Sequence, residues 1–331
     1  MVRRSETSRP IARFLNGDEL RALQHAPRRL ALHVAPIYLA IVLVFAGLRA
    51  VATSGVAWLP WIAYPLAFVV VGWCQFAIVQ ALHEAAHQVL GRKTWGSTLA
   101  GMLMTYPLAL TLQFRGQHLD HHRHFGDPDK DPDFDGYARF PRSKLALVAH
   151  LVRSATGIPA IVSFLRKSSD QSTLQAQGTT VAAELAKLVA AQAVVFALLT
   201  LALGPWHYVF LWALPLLTVV KLCTAARLLC EHGSPDKPFV WRSFGGTFVE
   251  RNLLGAFGLN YHAEHHLYPT IPYENLAQVF RRHLDARRTA GAAADDDFLE
   301  VYCGGHLGLL RDWFRELPTM SLAASAPRAR S

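Results

Sequence analysis

Long apolar runs constrain this chain more than any other feature. They cover residues 30 to 48, Val56 to Leu82, Trp95 to Leu112, Val181 to Leu203 and Tyr208 to Leu229. A stretch of about 20 apolar residues is long enough to cross the hydrocarbon core of a bilayer. Inside that core every backbone N–H and C=O must be satisfied within the segment, which restricts such stretches to helices or closed barrels. Runs of this length, rather than short alternating strands, predict an all-α polytopic membrane protein. Four of the runs are long enough to span, although Glu184 and Lys187 sit in the first turns of one, and Trp95 to Leu112 is borderline. Composition agrees: 52% of the 331 residues are hydrophobic and 17% charged, against roughly 25% charged in soluble domains.

Set between the runs are three histidine clusters: His83-Glu84-Ala85-Ala86-His87, His118-Leu119-Asp120-His121-His122 and His262-Ala263-Glu264-His265-His266. Residues three and four apart share one helix face, so each cluster projects two or three imidazoles from one patch. Imidazole suits zinc, copper, iron and nickel. Eight such ligands are too many for one ion and about right for two. The first cluster also spells His-Glu-x-x-His, the zinc metalloprotease motif, with Glu84 as general base. A catalytic zinc takes only three protein ligands, which leaves the six histidines of the other clusters without a role.

If one site gathers all three clusters, the clusters must share one side of the membrane. The 30 residues from Gln88 to Gln117 are too few to cross twice, which needs roughly 40. The Trp95–Leu112 run is therefore expected to enter as a hairpin or to lie along the interface, with Pro107 at a break. Gly204-Pro205-Trp206 forms a tight turn that brings the last two spans back to the same side. Four transmembrane helices in two hairpins, with a helical cap holding the metal site, follow from this parity. The far-side loops, near Ala50–Trp58 and Gly204–Trp206, contain no Lys or Arg, and Arg49 sits at the edge of the first. The positive-inside rule then makes the cap and both termini cytoplasmic, with a bacterial inner membrane as the expected location. Three parts are expected: a polar N-terminal segment, residues 1–28; a domain of membrane helices plus cap, residues 29–285; and a C-terminal segment, residues 286–331, disordered after about Pro318. Ser143 to Lys167 alternate apolar and basic residues, which suits an interfacial amphipathic helix.

The net charge of +9 fits a cytoplasmic face near anionic lipid. No soluble module carries a basic patch with interleaved aromatics, so a nucleic-acid partner is not expected. Cys74, Cys223, Cys230 and Cys303 show no paired spacing, which argues against a disulfide framework or a Cys-ligated metal. The first 28 residues have no apolar h-region of a signal peptide.

HxxxH, HxxHH and HxxHH in this order, interleaved with membrane hairpins, resemble the membrane fatty acid desaturase family in its acyl-lipid form. The supporting stretches are His118 to Asp133, Asn260 to Pro269 and the following Tyr273-Glu274-Asn275-Leu276. The resemblance covers roughly residues 30 to 285. It implies two non-haem irons in an almost all-histidine shell: His83, His87, His118, His121, His122, His262, His265 and His266, with His232 after the last span as the ninth ligand. Acyl-CoA members carry an Asn four residues before that histidine. Here the position is Leu228, so water-mediated ligation by Asn is not carried over. Three residues between the histidines of the first box favour a lipid-borne chain over an acyl-CoA. His124 is read as lying outside the ligand set.

The resemblance implies an O2-dependent oxidoreductase that introduces a double bond into an acyl chain of a membrane lipid. A hydroxylase or ketolase of a lipid or carotenoid is the alternative on the same irons, and a zinc membrane protease the distant one. The sequence has no CxxC pair, haem signature or GxGxxG fingerprint, so electrons are expected from a separate ferredoxin or cytochrome b5-like protein attracted to the basic face. Metal-bound histidines need carboxylate or carbonyl partners on their free N–H groups. Glu84, Asp120, Glu231 and Glu264 are the candidates near enough in sequence. Asp127, Asp129, Asp131 and Asp133 read as turn-capping residues of a Pro-punctuated loop.

Overall fold

The computed structural model describes residues 14–24, 30–89, 101–159, 161–162, 178–290 and 298–319. The expected disordered tail and the first six residues of the Trp95–Leu112 run fall outside this set. Among the described residues, four helical stretches are long and apolar enough to cross a membrane: Val34–Thr53, Leu59–Ala86, Val181–Ala202 and Trp206–His232. In chain order the elements are α1 (Gly17–Leu23), α2 (Leu30–Thr53), α3 (Leu59–Ala86), α4 (Gln113–His124), α5 (Lys144–Ala155), α6 (Val181–Ala202) and α7 (Val219–His232). The order continues with β1 (Trp241–Phe244), α8 (Phe248–Leu254), α9 (His262–Leu267), α10 (Tyr273–Ala290), β2 (Leu299–Tyr302) and α11 (His306–Glu316).

The spans keep apolar side chains on their outer faces. Trp61, Leu66 and Val69 of α3 and Val189, Leu198 and Leu201 of α6 are exposed, an arrangement suited to lipid rather than water. Pro60 sits in the first turn of α3, where a missing N–H costs least, and Pro65 lies inside the helix. Against α3 the last span approaches closely: a Cβ built on Gly72 would lie 2.5 Å from the Cβ of Val219. Before α7 this span loosens into a π turn at Val209–Ala213, immediately ahead of Pro215, whose ring cannot continue the hydrogen-bond ladder. Gly204, at φ +108, makes the turn between α6 and this span.

The borderline run breaks where expected. Residues 101–105 are helical, a turn follows at 106–109 with Ala109 at φ +54, and the chain continues into α4. Irregular backbone packed among apolar helices needs protein partners for its polar groups, and here they are found. The Pro107 carbonyl accepts from Trp212 Nε1 at 2.9 Å and Gln192 Nε2 at 3.1 Å, and the Tyr106 carbonyl accepts from the same amide at 2.6 Å. Glu184, buried in the first turn of α6, accepts the Leu112 N–H at 3.0 Å and the Tyr106 hydroxyl at 2.9 Å. The polar residue that looked out of place in a span is thus what anchors the turn.

The all-α expectation is corrected in one place. Strands β1 and β2 form a two-stranded parallel sheet with Trp241 opposite Leu299 and Phe244 opposite Tyr302. The pairing is held by Arg242, which donates to Glu300 at 2.6 and 2.9 Å and also caps the Cys230 and Gly233 carbonyls at the end of α7. Behind the sheet, Phe140, Leu147, Leu229, Cys230, Phe244, Leu309 and Trp313 form a second small core. Helix α5 starts at Ser143, whose hydroxyl accepts the Ala146 N–H. It buries Leu147 and exposes Leu145, Val148 and Val152, the pattern of a helix lying in the interface plane.

Candidate metal centre

The C-terminal end of α3, the end of α7, α4 and α9 meet at one place. His83 occupies the last turn of α3 and His87 its C-cap, and the next residue, Gln88, turns the chain aside at φ +59. Arg115 of α4 donates its Nε to the Ala86 carbonyl at 3.0 Å, tying the first box to the helix of the second. His232 is the last residue of α7. Two donor groups result. In the first, one ring nitrogen each of His83, His87, His118, His122 and His265 lie within 4.8 Å of one another; in the second, those of His121, His232 and His266 do. His262 joins the second group, with Nε2 2.9 Å from His232 Nε2. All nine histidines singled out in the sequence are brought together, and both groups could hold metal ions. His124 keeps a half-exposed ring outside both, and Leu228 packs toward Gly136 instead of facing a donor group.

The donor set fits a transition-metal ion on its own geometry. His87 Nε2 and His118 Nε2 are 2.7 Å apart, and His265 Nε2 and His122 Nε2 3.1 Å. Both ring nitrogens of His83 and His266 and Nδ1 of His265 are buried with no hydrogen-bond partner among the described residues. Such orphaned polar atoms cost about 1–3 kcal/mol each, and cations bound between the lone pairs relieve those that face them. Burial holds His118, His122, His262, His265 and His266 well below the ordinary imidazole range, and their histidine neighbours lower them further. His87 is pushed down to about 4, by burial first and then by Arg115. The rings are neutral at physiological pH, the state that binds metal.

Several rings are oriented from behind. His232 Nδ1 donates to the Val240 carbonyl at 3.0 Å, which leaves Nε2 with its lone pair pointing inward. His121 Nδ1 donates to Asp131 at 2.8 Å. Burial would lower His121, but the Asp131 hydrogen bond and the surrounding carboxylates raise it above its ordinary value. Asp131 is buried, which favours its neutral form, yet bonds from His121, Tyr137 and the Asp133 N–H hold it below the usual carboxylate range. Glu264 accepts from His283 Nδ1 and from the Ser243 hydroxyl, and that hydroxyl accepts the Ala263 N–H at 3.0 Å, which fixes the third box from both ends. Glu84 accepts the Tyr273 N–H at 3.1 Å and lies 3.8 Å from His83 Nδ1. Glu84 is buried, with one oxygen on that backbone N–H and the other without a hydrogen-bond partner among the described residues.

Of the four carboxylates expected to partner the box histidines, Glu231 comes nearest, 3.5 Å from His262 Nδ1; Glu84 stays 3.8 Å from His83, Glu264 is taken by His283 and Ser243, and Asp120 pairs with Arg123 at 2.9 Å on the surface. Asp127 caps its turn as expected, accepting the Asp129 and Lys130 N–H groups. Asp131 does more than cap. Sequence reasoning also missed Arg227, His283 and His306, all buried beside the boxes. The partners of His283 and His306 are distant in sequence, whereas Arg227 pairs with Glu231 four residues on, a local spacing that offered a signal.

Four helices long and apolar enough to cross a membrane, beside nine imidazoles in two adjoining groups that could hold metal ions, make this a candidate metal centre of a membrane protein. Comparison with known proteins makes the class specific. The fatty acid desaturase family profile matches residues 58–296, and the chain belongs to this family of oxidoreductases. Dihydrorhizobitoxine desaturase of Bradyrhizobium elkanii is 29% identical over 234 residues, covering 64% of this chain and 65% of that protein. The sn-1 oleoyl-lipid 12-desaturase of Anabaena variabilis is 24% identical over 67% of this chain and 69% of its own length. The sn-1 oleoyl-lipid 12-desaturase of Synechocystis is 25% identical over 82% of both.

Proposed function

We propose that this chain is a membrane-bound, O2-dependent desaturase that binds two irons and introduces a double bond into a fatty acyl chain of a membrane lipid. The observation that carries this reading is the pair of donor groups, His83, His87, His118, His122 and His265 in one and His121, His232, His262 and His266 in the other. Family membership and two lipid desaturases among the relatives support it. Nine imidazoles exceed what a three-ligand zinc hydrolase uses. Bound iron and O2 together supply an oxidant able to break an unactivated C–H bond. Each turnover removes two hydrogens from the chain and takes two electrons from a separate donor and two protons from solvent, reducing O2 to two waters.

The protein's part is positioning. Asp131 and the Val240 carbonyl fix the orientations of His121 and His232, and Glu264 holds the third box. A cleft of about 180 Å³ beside the first box is lined by Leu82, Ala85, Ala86, Leu112 and Phe114 on its apolar side and by Gln88, Thr105, Thr111 and Arg115 on its polar side. In this reading the helices form two hairpins, the donor groups and both termini lie on the cytoplasmic side, and a ferredoxin or cytochrome b5-like protein is the electron donor. The domain limits of residues 29–285 belong to the same proposal.

Lipid profiling of a bacterial host that expresses the chain, beside the His266→Ala variant, tests this. A new alkene with an unchanged oxygen count, absent in the variant, is expected. An added oxygen would instead identify a hydroxylase or ketolase, and an unaltered lipid profile would remove the assignment.

A further inference from the structure

We infer that the C-terminal segment beyond the family-matched residues is part of the metal centre, and that His306 is a positioning residue for the donor group containing His262. The inference rests on the two-iron reading and extends it to a part of the chain that the histidine boxes do not include.

His306 opens α11 and is 1% exposed. Its ring stacks on Phe244 of β1, centroids 3.8 Å apart, and its Nε2 lies 3.5 Å from Glu231 Oε1. The same oxygen accepts Arg227 Nε at 2.6 Å, and the other carboxylate oxygen lies 3.5 Å from His262 Nδ1. Arg227 also reaches Gln80 of α3 and places Nη2 3.3 Å from that Nδ1. Two demands therefore compete at His262 Nδ1. An arginine N–H there favours the tautomer with its proton on Nε2, which then faces His232 Nε2 at 2.9 Å. A carboxylate there favours the proton on Nδ1 and frees the Nε2 lone pair for a cation. Glu231 selects the binding tautomer only while its second oxygen stays turned toward His262. Arg227 and His306 grip the first oxygen from two sides and hold that rotation.

The segment that carries His306 is seated with little freedom. A Cβ on Gly245 would lie 2.7 Å from the Cys303 carbonyl, and one on Gly305 would lie 2.5 Å from the Cβ of Glu250. Gly246, at φ +83, lies so close that its Cβ would meet the Gly305 nitrogen at 2.9 Å. Pairing of β1 with β2 and the Cys230 thiol, 3.6 Å from the His306 carbonyl, fix the register. The paired glycines at 245–246 and 304–305 thus let the C-terminal strand and helix close directly onto the end of α7.

The test uses the full chain, purified in detergent, loaded with iron and dialysed against a weak chelator. His306→Phe keeps the stacking and removes the donor; His306→Gln restores a donor. Removing an outer partner of this kind weakens metal binding by roughly 10–100-fold. His306→Phe is expected to retain about half the wild-type iron, with the melting temperature of the metal-free protein unchanged and with recovery in His306→Gln. Wild-type iron content in His306→Phe would overturn the inference. So would loss of all iron together with a lowered metal-free melting temperature, or no recovery in His306→Gln. If the wild-type chain itself does not hold two irons, the two-iron reading fails instead.

Discussion

Asp131→Asn is the sharpest probe of how this centre is oriented. The native carboxylate takes His121 Nδ1–H at 2.8 Å and the Asp133 N–H at 2.9 Å on one oxygen, and the Gly126 N–H at 3.2 Å and the Tyr137 hydroxyl on the other. An amide has the same shape but only one acceptor oxygen. Turned toward His121, it keeps two bonds that are no longer charge-assisted and presents its NH2 to the Gly126 N–H. Hydrogen bonds to charged groups are worth about 1.5–3 kcal/mol against about 1 for neutral ones. The Gly126 N–H retains the Tyr137 oxygen at 3.0 Å, which limits that loss. A net destabilisation of about 2 kcal/mol follows, with iron affinity falling toward the lower end of the roughly 10–100-fold range for such partners. Chelator competition on the purified variant reads the affinity, and Asp131→Ala should fall further because His121 Nδ1–H is then left unpaired. Wild-type affinity in Asp131→Asn and Asp131→Ala would refute the assignment of Asp131 as the residue that orients His121.

Acidification should destabilise the metal-free protein. His87, His118, His122, His262, His265 and His266 are all lowered in the fold, so the unfolded chain binds more protons than the folded one below about pH 6.5, and each such histidine costs about 1.4 kcal/mol per pH unit. His121, which is raised, opposes the trend singly; a melting temperature that does not fall between pH 7.5 and 5.5 would contradict it. Gly72→Ala should push α3 from α7 at Val219 and cost about 1–3 kcal/mol, with part of the loss recovered in the double variant with Val219→Gly; full additivity of the two changes would argue against that contact. Glu184→Ala strips the Leu112 N–H and Tyr106 hydroxyl of their acceptor and should expose residues 106–112 to proteolysis, whereas unchanged cleavage would show that the turn is anchored otherwise.

What could be read from the chain and what could not divide along sequence distance. The spans follow from composition over about 20 residues, and the boxes from i, i+3 and i+4 spacing; both signals are local. Pro107 marked its break for the same reason. The residues that orient the boxes are not local. Asp131 reaches His121 across ten positions, His283 reaches Glu264 across 19 and His306 reaches Glu231 across 75. No helical period connects them. Parallel pairing of β1 with β2 was hidden as well, because two four-residue strands far apart in sequence carry no hairpin turn to announce them. Asp120 shows the converse error: adjacent to a ligand in sequence, it points to the surface and pairs with Arg123.

Metal content of the purified full chain, taken with His266→Ala and His83→Ala to address the two donor groups separately, tests the central claim most directly. Two irons per wild-type chain are predicted, with each variant losing iron from its own group. One zinc per chain, or no metal retained by the wild type after loading with ferrous iron, would contradict it.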